Sequence, residues 1–159
     1  MPAPPPETRT DTAARIIRAS PQAIYRAFVD AHSLMTWLPP EGMTGRALIF
    51  EPHAGGRYRI ELSYNQTPDA GVAKTSDRTD ISTGRFLELV PDARIVQSVE
   101  FESGDPAFAG VMVMTWALEA APEGTRVTVT AANVPHGIAK ADHDAGLQSS
   151  LENLARFFE

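Results

Sequence analysis

The sequence ends in an apolar helical stripe. From Ala139 to Glu159, Leu147, Leu151, Leu154 and Phe158 recur at helical spacing with Ala155 beside them, while Asp142, Asp144, Gln148, Glu152 and Arg156 fall on other faces. Such a helix must lie on an apolar surface, and the alternating segments before it can supply one. A long helix laid across a curved sheet often leaves a pocket between the two. The pattern therefore predicts a small domain built around a cavity.

The rest of the chain supports this order of elements. Thr10 to Ala19 reads as a first strand. Ser20-Pro21 is a helix start, since Ser caps and Pro suits the first turn, and Ile24, Ala27 and Phe28 form a short apolar stripe behind it. Ser33 to Leu38 reads as a second short helix closed by Pro39-Pro40. Strands follow: Arg46 to Phe50, then a stronger one after Gly55-Gly56 in which Tyr58, Ile60, Leu62 and Tyr64 alternate with polar residues. Gly55-Gly56 predicts a bulge or a tight strand start. Asn65 to Asp80 is polar and aperiodic, a long mobile hairpin loop. Ile81 to Val90, Arg94 to Glu102, Val111 to Ala120 and Thr125 to Val134 complete the strands, with Ile95, Val99 and Phe101 on one face and Met112, Met114, Trp116 and Leu118 on another. Short turns between successive strands make an antiparallel meander of about six to seven strands. Helices stand at the two ends of the order and not between strands, so the fold class is α+β.

Composition narrows the function. The 159 residues fit one domain, expected over residues 10–159, after a Pro-rich disordered lead-in over residues 1–9. A net charge of −6 with no basic block argues against nucleic acid. The absence of cysteine excludes disulfides, a thiol nucleophile and thiolate metal sites. No apolar run reaches membrane-spanning length, and the N-terminus lacks a signal-peptide pattern, so a cytoplasmic location and no membrane partner are expected.

Several strings in this order carry a resemblance. They are the Ser20-Pro21 helix start, Trp37-Leu38-Pro39-Pro40-Glu41-Gly42, Pro52-His53-Ala54-Gly55-Gly56-Arg57-Tyr58-Arg59 and Gly84-Arg85-Phe86. Glu88-Leu89-Val90-Pro91 leading to Arg94-Ile95-Val96, Gly124-Thr125-Arg126-Val127-Thr128-Val129, and Gly146-Leu147-Gln148-Ser149-Ser150-Leu151-Glu152-Asn153-Leu154 complete the set. Together, over Asp11 to Phe158, they resemble the START-like helix-grip (SRPBCC) superfamily, and within it the branch similar to activators of the heat-shock protein 90 ATPase. The resemblance implies a curved antiparallel sheet wrapped on the long C-terminal helix, with two short helices after the first strand. Members of the superfamily include hydrophobic-ligand carriers, sensors, aromatase/cyclases and co-chaperone domains, and the branch implies no shared catalytic signature.

A cavity in this fold is lined by inward strand residues and the inner helix face. Taking the more apolar alternating set as inward nominates Tyr58, Ile60, Leu62, Phe101, Met112, Met114 and Trp116, with Trp37 capping one end and Leu147 and Leu151 from the helix. The competing reading is that these residues simply fill a core. Met adapts to varied shapes, and the Trp N–H wants a partner, which tips Met112, Met114 and Trp116 toward a pocket. Gly146, inside the last helix, serves either close packing on the sheet, the favoured reason, or room for a ligand. His136 and His143, with Asp142 and Asp144, read as a solvated helix N-terminus and not a metal site. Among the carboxylates, Glu88 is the best candidate for a buried acid or base, because Phe86 shares its face, but a solvent-facing strand residue is the favoured reading. Neither a catalytic constellation, a metal nor a cofactor is expected.

The leading functional expectation is binding of a small hydrophobic or aromatic molecule between sheet and C-terminal helix. The alternatives are a cyclase, dehydratase or hydrolase using the same cavity, which requires a buried ionisable group facing the void, and a chaperone-interacting or regulatory module. A homodimer through sheet edges or helices is left open.

Overall fold

The computed structural model describes residues 8–70 and 72–159. Strand β1 (Asp11–Ile17) leads into helices α1 (Pro21–Val29) and α2 (Ala31–Trp37). Strands β2 (Met43–Phe50), β3 (Arg57–Tyr64), β4 (Thr79–Val90), β5 (Arg94–Phe101), β6 (Met112–Ala121) and β7 (Gly124–Ala132) follow, and α3 (Lys140–Phe157) closes the chain. The seven strands form one antiparallel sheet in the order β1-β7-β6-β5-β4-β3-β2, so the first strand completes the sheet beside the last.

Local chemistry sets the helix boundaries. Ser20 Oγ accepts the Ala23 N–H at 3.1 Å, with Pro21 in the first turn. The second helix starts earlier than its sequence pattern suggests, because Asp30 caps it and accepts the Ser33 N–H at 2.9 Å. The expected disordered segment, residues 1–9, falls mostly outside the described residues. Its last member, Arg9, is held by Asp11 and by the Ile138 carbonyl at 2.6 Å.

The sheet curls where its pairing slips. Register shifts occur between Ala47 and Ile49 on β2 and between Phe86 and Glu88 on β4. At Gly84 a side chain would overlap the Ser98 carbonyl and the Tyr58 hydroxyl, so only glycine allows β4 to approach β5 this closely. At Gly56 a Cβ would collide with the Glu51 carbonyl, which accounts for the tight strand start expected from the Gly pair. The slip on β4 also decides between the two readings of Glu88, in favour of the solvent-facing one. Alternation is broken after Phe86, and the Glu88 carboxylate pairs with Arg94 on the surface instead of sharing the buried face.

The long β3–β4 loop uses its polar residues to tie itself down, where a mobile segment was expected. Lys74 pairs with Asp80 at 3.0 Å, Thr75 Oγ1 accepts the Ile81 N–H, and Arg78 donates to the Tyr64 and Asn65 carbonyls. Lys74 Nζ also stands 5.0 Å from the centre of the Phe101 ring.

The core lies between the curled sheet and the helices. Ile17, Ile24, Val127, Val129, Leu151 and Leu154 are wholly buried there. Helix α3 makes its close backbone approach along β1 and α2. At its C-terminal half, Asn153 donates to the Pro39 carbonyl at 2.9 Å and Ser150 to the Leu38 carbonyl at 3.4 Å. The far strands β3, β4 and β5 make no such close backbone approach to α3 among the described residues. Leu154 sits on the packed side of that arrangement, and Leu154→Ala is expected to cost about 2–5 kcal/mol, read from urea denaturation midpoints at unchanged m-value.

Candidate functional site

Inward-facing strand residues line a cavity of about 170 Å³. From β3 come Tyr58 and Ile60, from β5 Phe101, and from β6 Met112, Met114 and Trp116, all nominated by alternation. Leu62 and Leu147 stand in the wall of a more open cleft of about 640 Å³ on the outer side. The two spaces share Leu38, Ser82, Phe101 and His143, which therefore stand between them.

Two nominated residues line neither space. Trp37 is 1% exposed, packs edge-on against Phe28 at 4.9 Å and Trp116 at 5.8 Å, and donates its indole N–H to the Ala27 carbonyl at 2.9 Å. It braces the wall from behind instead of capping the cavity. Leu151 is fully buried and belongs to the core cluster.

The inner cavity also has wall residues that the sequence argument passed over. Phe28, Leu34, Phe50, Phe86, Ile95 and Val99 belong to it. Ile95 and Val99 were legible, since they alternate with Phe101 on β5. Its polar groups are Ser82, Gln97, the Tyr58 hydroxyl and His143. Tyr58 donates to the Ser98 carbonyl and accepts from Gln97 at 3.4 Å. Burial pushes its phenol well above the ordinary range, so it stays protonated as a donor.

His143 is held in place by a buried carboxylate. It does not sit at a solvated helix terminus. Its side chain is 14% exposed, and Nδ1 lies 2.8 Å from the Asp11 carboxylate, which is 0% exposed. Both residues were readable from their periodicities. His143 stands four positions before Leu147 on the same helical stripe, and Asp11 shares the inward face of β1 with Ala13 and Ile17. Arg9 at 3.2 Å and Lys140 at 3.5 Å also contact the Asp11 carboxylate, and Lys140 bridges on to Asp144 at 3.0 Å. Burial by itself would raise the Asp11 pKa. The hydrogen bond with His143 and the charge of Arg9 outweigh it and hold the carboxyl below the usual carboxylate range. Among the described residues, no group of three or more His, Asp or Glu side chains comes together that could hold a metal ion.

Gly146 lies one turn beyond His143 and lines the outer cleft. A Cβ built on it meets nothing within 4 Å, so close packing on the sheet is not its purpose. The residue leaves space in the cleft.

Two expectations follow. A depressed carboxyl pKa stabilises the fold above the ordinary carboxylate range, about pH 4, and that contribution is lost as the pH falls through the lowered value. Asp11→Asn should therefore lower stability at neutral pH by on the order of 3 kcal/mol and lose less than the wild type between neutral pH and about pH 3, measured by urea melts across that range. Gly146→Ala should raise stability by about 1 kcal/mol through helix propensity, with no clash to offset it, seen as a higher denaturation midpoint.

Among the described residues, no helix is long and apolar enough to cross a membrane. No curated protein matches the chain. A solved structure from Chromobacterium violaceum is 31% identical with a TM-score of 0.81, the match covering 92% of this chain and 94% of that one. A protein of Rhodobacter sphaeroides shares the fold at 21% identity and a TM-score of 0.77, covering 98% of this chain and 95% of its own. An AHSA1-like protein of Aeromonas hydrophila does so at 18% identity and a TM-score of 0.67, covering 94% and 91%. The family model described as Activator of Hsp90 ATPase homolog 1-like protein matches residues 18–159, and the chain belongs to that helix-grip family.

Proposed function

We propose that the protein binds a small hydrophobic, aromatic molecule in the space between the sheet and α3. The observation that carries this reading is the inner cavity of about 170 Å³, walled by Phe28, Phe50, Phe86, Phe101, Trp116 and two methionines. An engineered protein cavity of about 150 Å³ takes benzene, so this one suits a single ring, with the rest of a larger molecule extending toward the outer cleft. The walls offer aromatic faces and edges for stacking, and Met112 and Met114 are deformable enough to follow the ligand's outline. A core evolved only for stability has no reason to leave such a space beside a well-packed cluster of Phe28, Trp37 and Trp116. Membership of a family that commonly binds hydrophobic ligands supports the same reading.

The expected affinity of a simple probe is modest. At roughly 0.5 kcal/mol per non-hydrogen atom, a ligand of about ten such atoms binds with a Kd on the order of 0.1–1 mM. Methyl-labelled methionine NMR suits that range. Titration with naphthalene or indole should shift Met112 and Met114, on the cavity wall, and leave Met35, which lines neither space, in place. Met114→Trp, which fills the space from a half-buried position, should abolish the shift of Met112 while the protein stays folded. Equal shifts at Met35, or none at saturating probe, would count against the reading.

A further inference from the structure

The proposed apolar-ligand reading explains the cavity walls but not the Asp11–His143 pair. Asp11 is a fully buried carboxylate, and a carboxylate accepts only; its partner nitrogen on the neutral imidazole must therefore carry the proton. With Nδ1–H given to Asp11, Nε2 is left as an acceptor. No partner for Nε2 is found among the described residues, and the ring forms part of the walls of both the inner cavity and the outer cleft. One turn along the helix, Gly146 keeps the cleft beside the imidazole open, with no atom within 4 Å of where its side chain would begin. An oriented acceptor, an aromatic cavity on one side and kept space on the other form a half-made recognition site.

We infer that His143 is the polar anchor of the ligand site, that Asp11 is its positioning residue, and that the site selects an aromatic molecule bearing a hydroxyl group. The aromatic ring occupies the inner cavity. The hydroxyl, at the neck, donates to His143 Nε2, and the remainder of the molecule passes Gly146 into the outer cleft. This rests on the apolar-ligand reading and adds the chemical group that the site reads. An ether in place of the hydroxyl leaves Nε2 without its donor. A carboxylate meets a lone pair where it needs a proton.

The other charged groups around the neck are consistent with a neutral ligand. Asp11 is already matched by Arg9 and Lys140, Lys140 also serves Asp144, and across the cleft Lys74 is matched by Asp80. Asp142 adds a further negative group to the cleft wall. Among the described residues, no cation is left facing the neck without an acidic partner to draw an anionic ligand in.

The test compares 2-naphthol, 2-methoxynaphthalene and 2-naphthoate on the full chain at about pH 8. Dissociation constants come from methionine-methyl NMR titrations. The preference for naphthol over its methyl ether is expected to fall about five- to tenfold in His143→Phe, which keeps the ring volume, with binding of the ether little changed. Asp11→Asn should weaken the same preference. Nitrogen-15 spectra of the histidine ring should place the proton on Nδ1 in the wild type and show that assignment loosened in Asp11→Asn, an effect that a purely structural role of Asp11 would not produce. If Asp11→Asn fails to fold, the wild-type ring spectrum and His143→Phe still decide.

If none of the three compounds binds, the apolar-ligand reading itself fails. If the naphthalenes bind but the preference is the same in wild type and His143→Phe, the cavity stands and the anchor is overturned. A proton found on Nε2, or tighter binding of naphthoate than of naphthol, would likewise overturn the hydroxyl assignment.

Discussion

A buried carboxylate needs several partners, and here they come from both ends of the chain. Asp11 opens β1, Arg9 precedes it, and Lys140 and His143 sit in the first turns of α3. An unpaired charge in this position would be strongly destabilising, so the fold is held to the one placement of α3 that brings its donors within reach. That placement lays the helix along β1 and away from β3, β4 and β5. The inner cavity lies between these strands and Phe28, Leu34 and Leu38, with His143 of α3 at its edge. One ion-pair cluster thus has a steric consequence well beyond its own contacts.

The interior divides into a packed side and an unfilled side. On the packed side, Trp37 is locked by its indole hydrogen bond and two ring contacts, and Leu151 and Leu154 are closed in completely. On the other, strand residues such as Tyr58, Ile60 and Met114 line the inner cavity. Curvature contributes as much as helix position. The slips in β2 and β4, and the close approach at Gly84, bend the far strands around the space instead of letting them collapse onto α3. The fold keeps its rigidity where the helix rests and its free volume where the sheet turns away.

Much of this was legible from periodicity, and the failures have physical causes. Alternation on β3, β5 and β6 identified Tyr58, Ile60, Phe101, Met112, Met114 and Trp116 as inward, because a strand fixes which face each side chain takes. Periodicity does not say whether an inward residue meets another side chain or a void. That is why Trp37 and Leu151 were grouped with the wall residues. The favoured, solvent-facing reading of Glu88 agrees with its surface pair with Arg94, and the bulge that separates it from the Phe86 face leaves no mark in composition. His143 was misjudged for another reason, and Asp11 drew no reading at all. Each lay on a buried stripe, but polar residues at the end of an element invite a solvated interpretation until a partner 132 residues away is seen to be adjacent. Gly146 was weighed toward packing, the commoner use of a helical glycine, when only the surrounding space could decide.

The pairing of β1 with β7 also bears on how the chain can assemble. The strand made first must wait for the strand made last before the sheet is complete, and the 18-residue helix that covers the sheet is made later still. During synthesis the concave face, with its aromatic and methionine side chains, is covered only by α1 and α2 until α3 arrives. The same apolar surface that suits the mature protein to a small molecule therefore makes the growing chain a temporary target for self-association. Docking of α3, and not collapse of the sheet, is the event that ends that exposure.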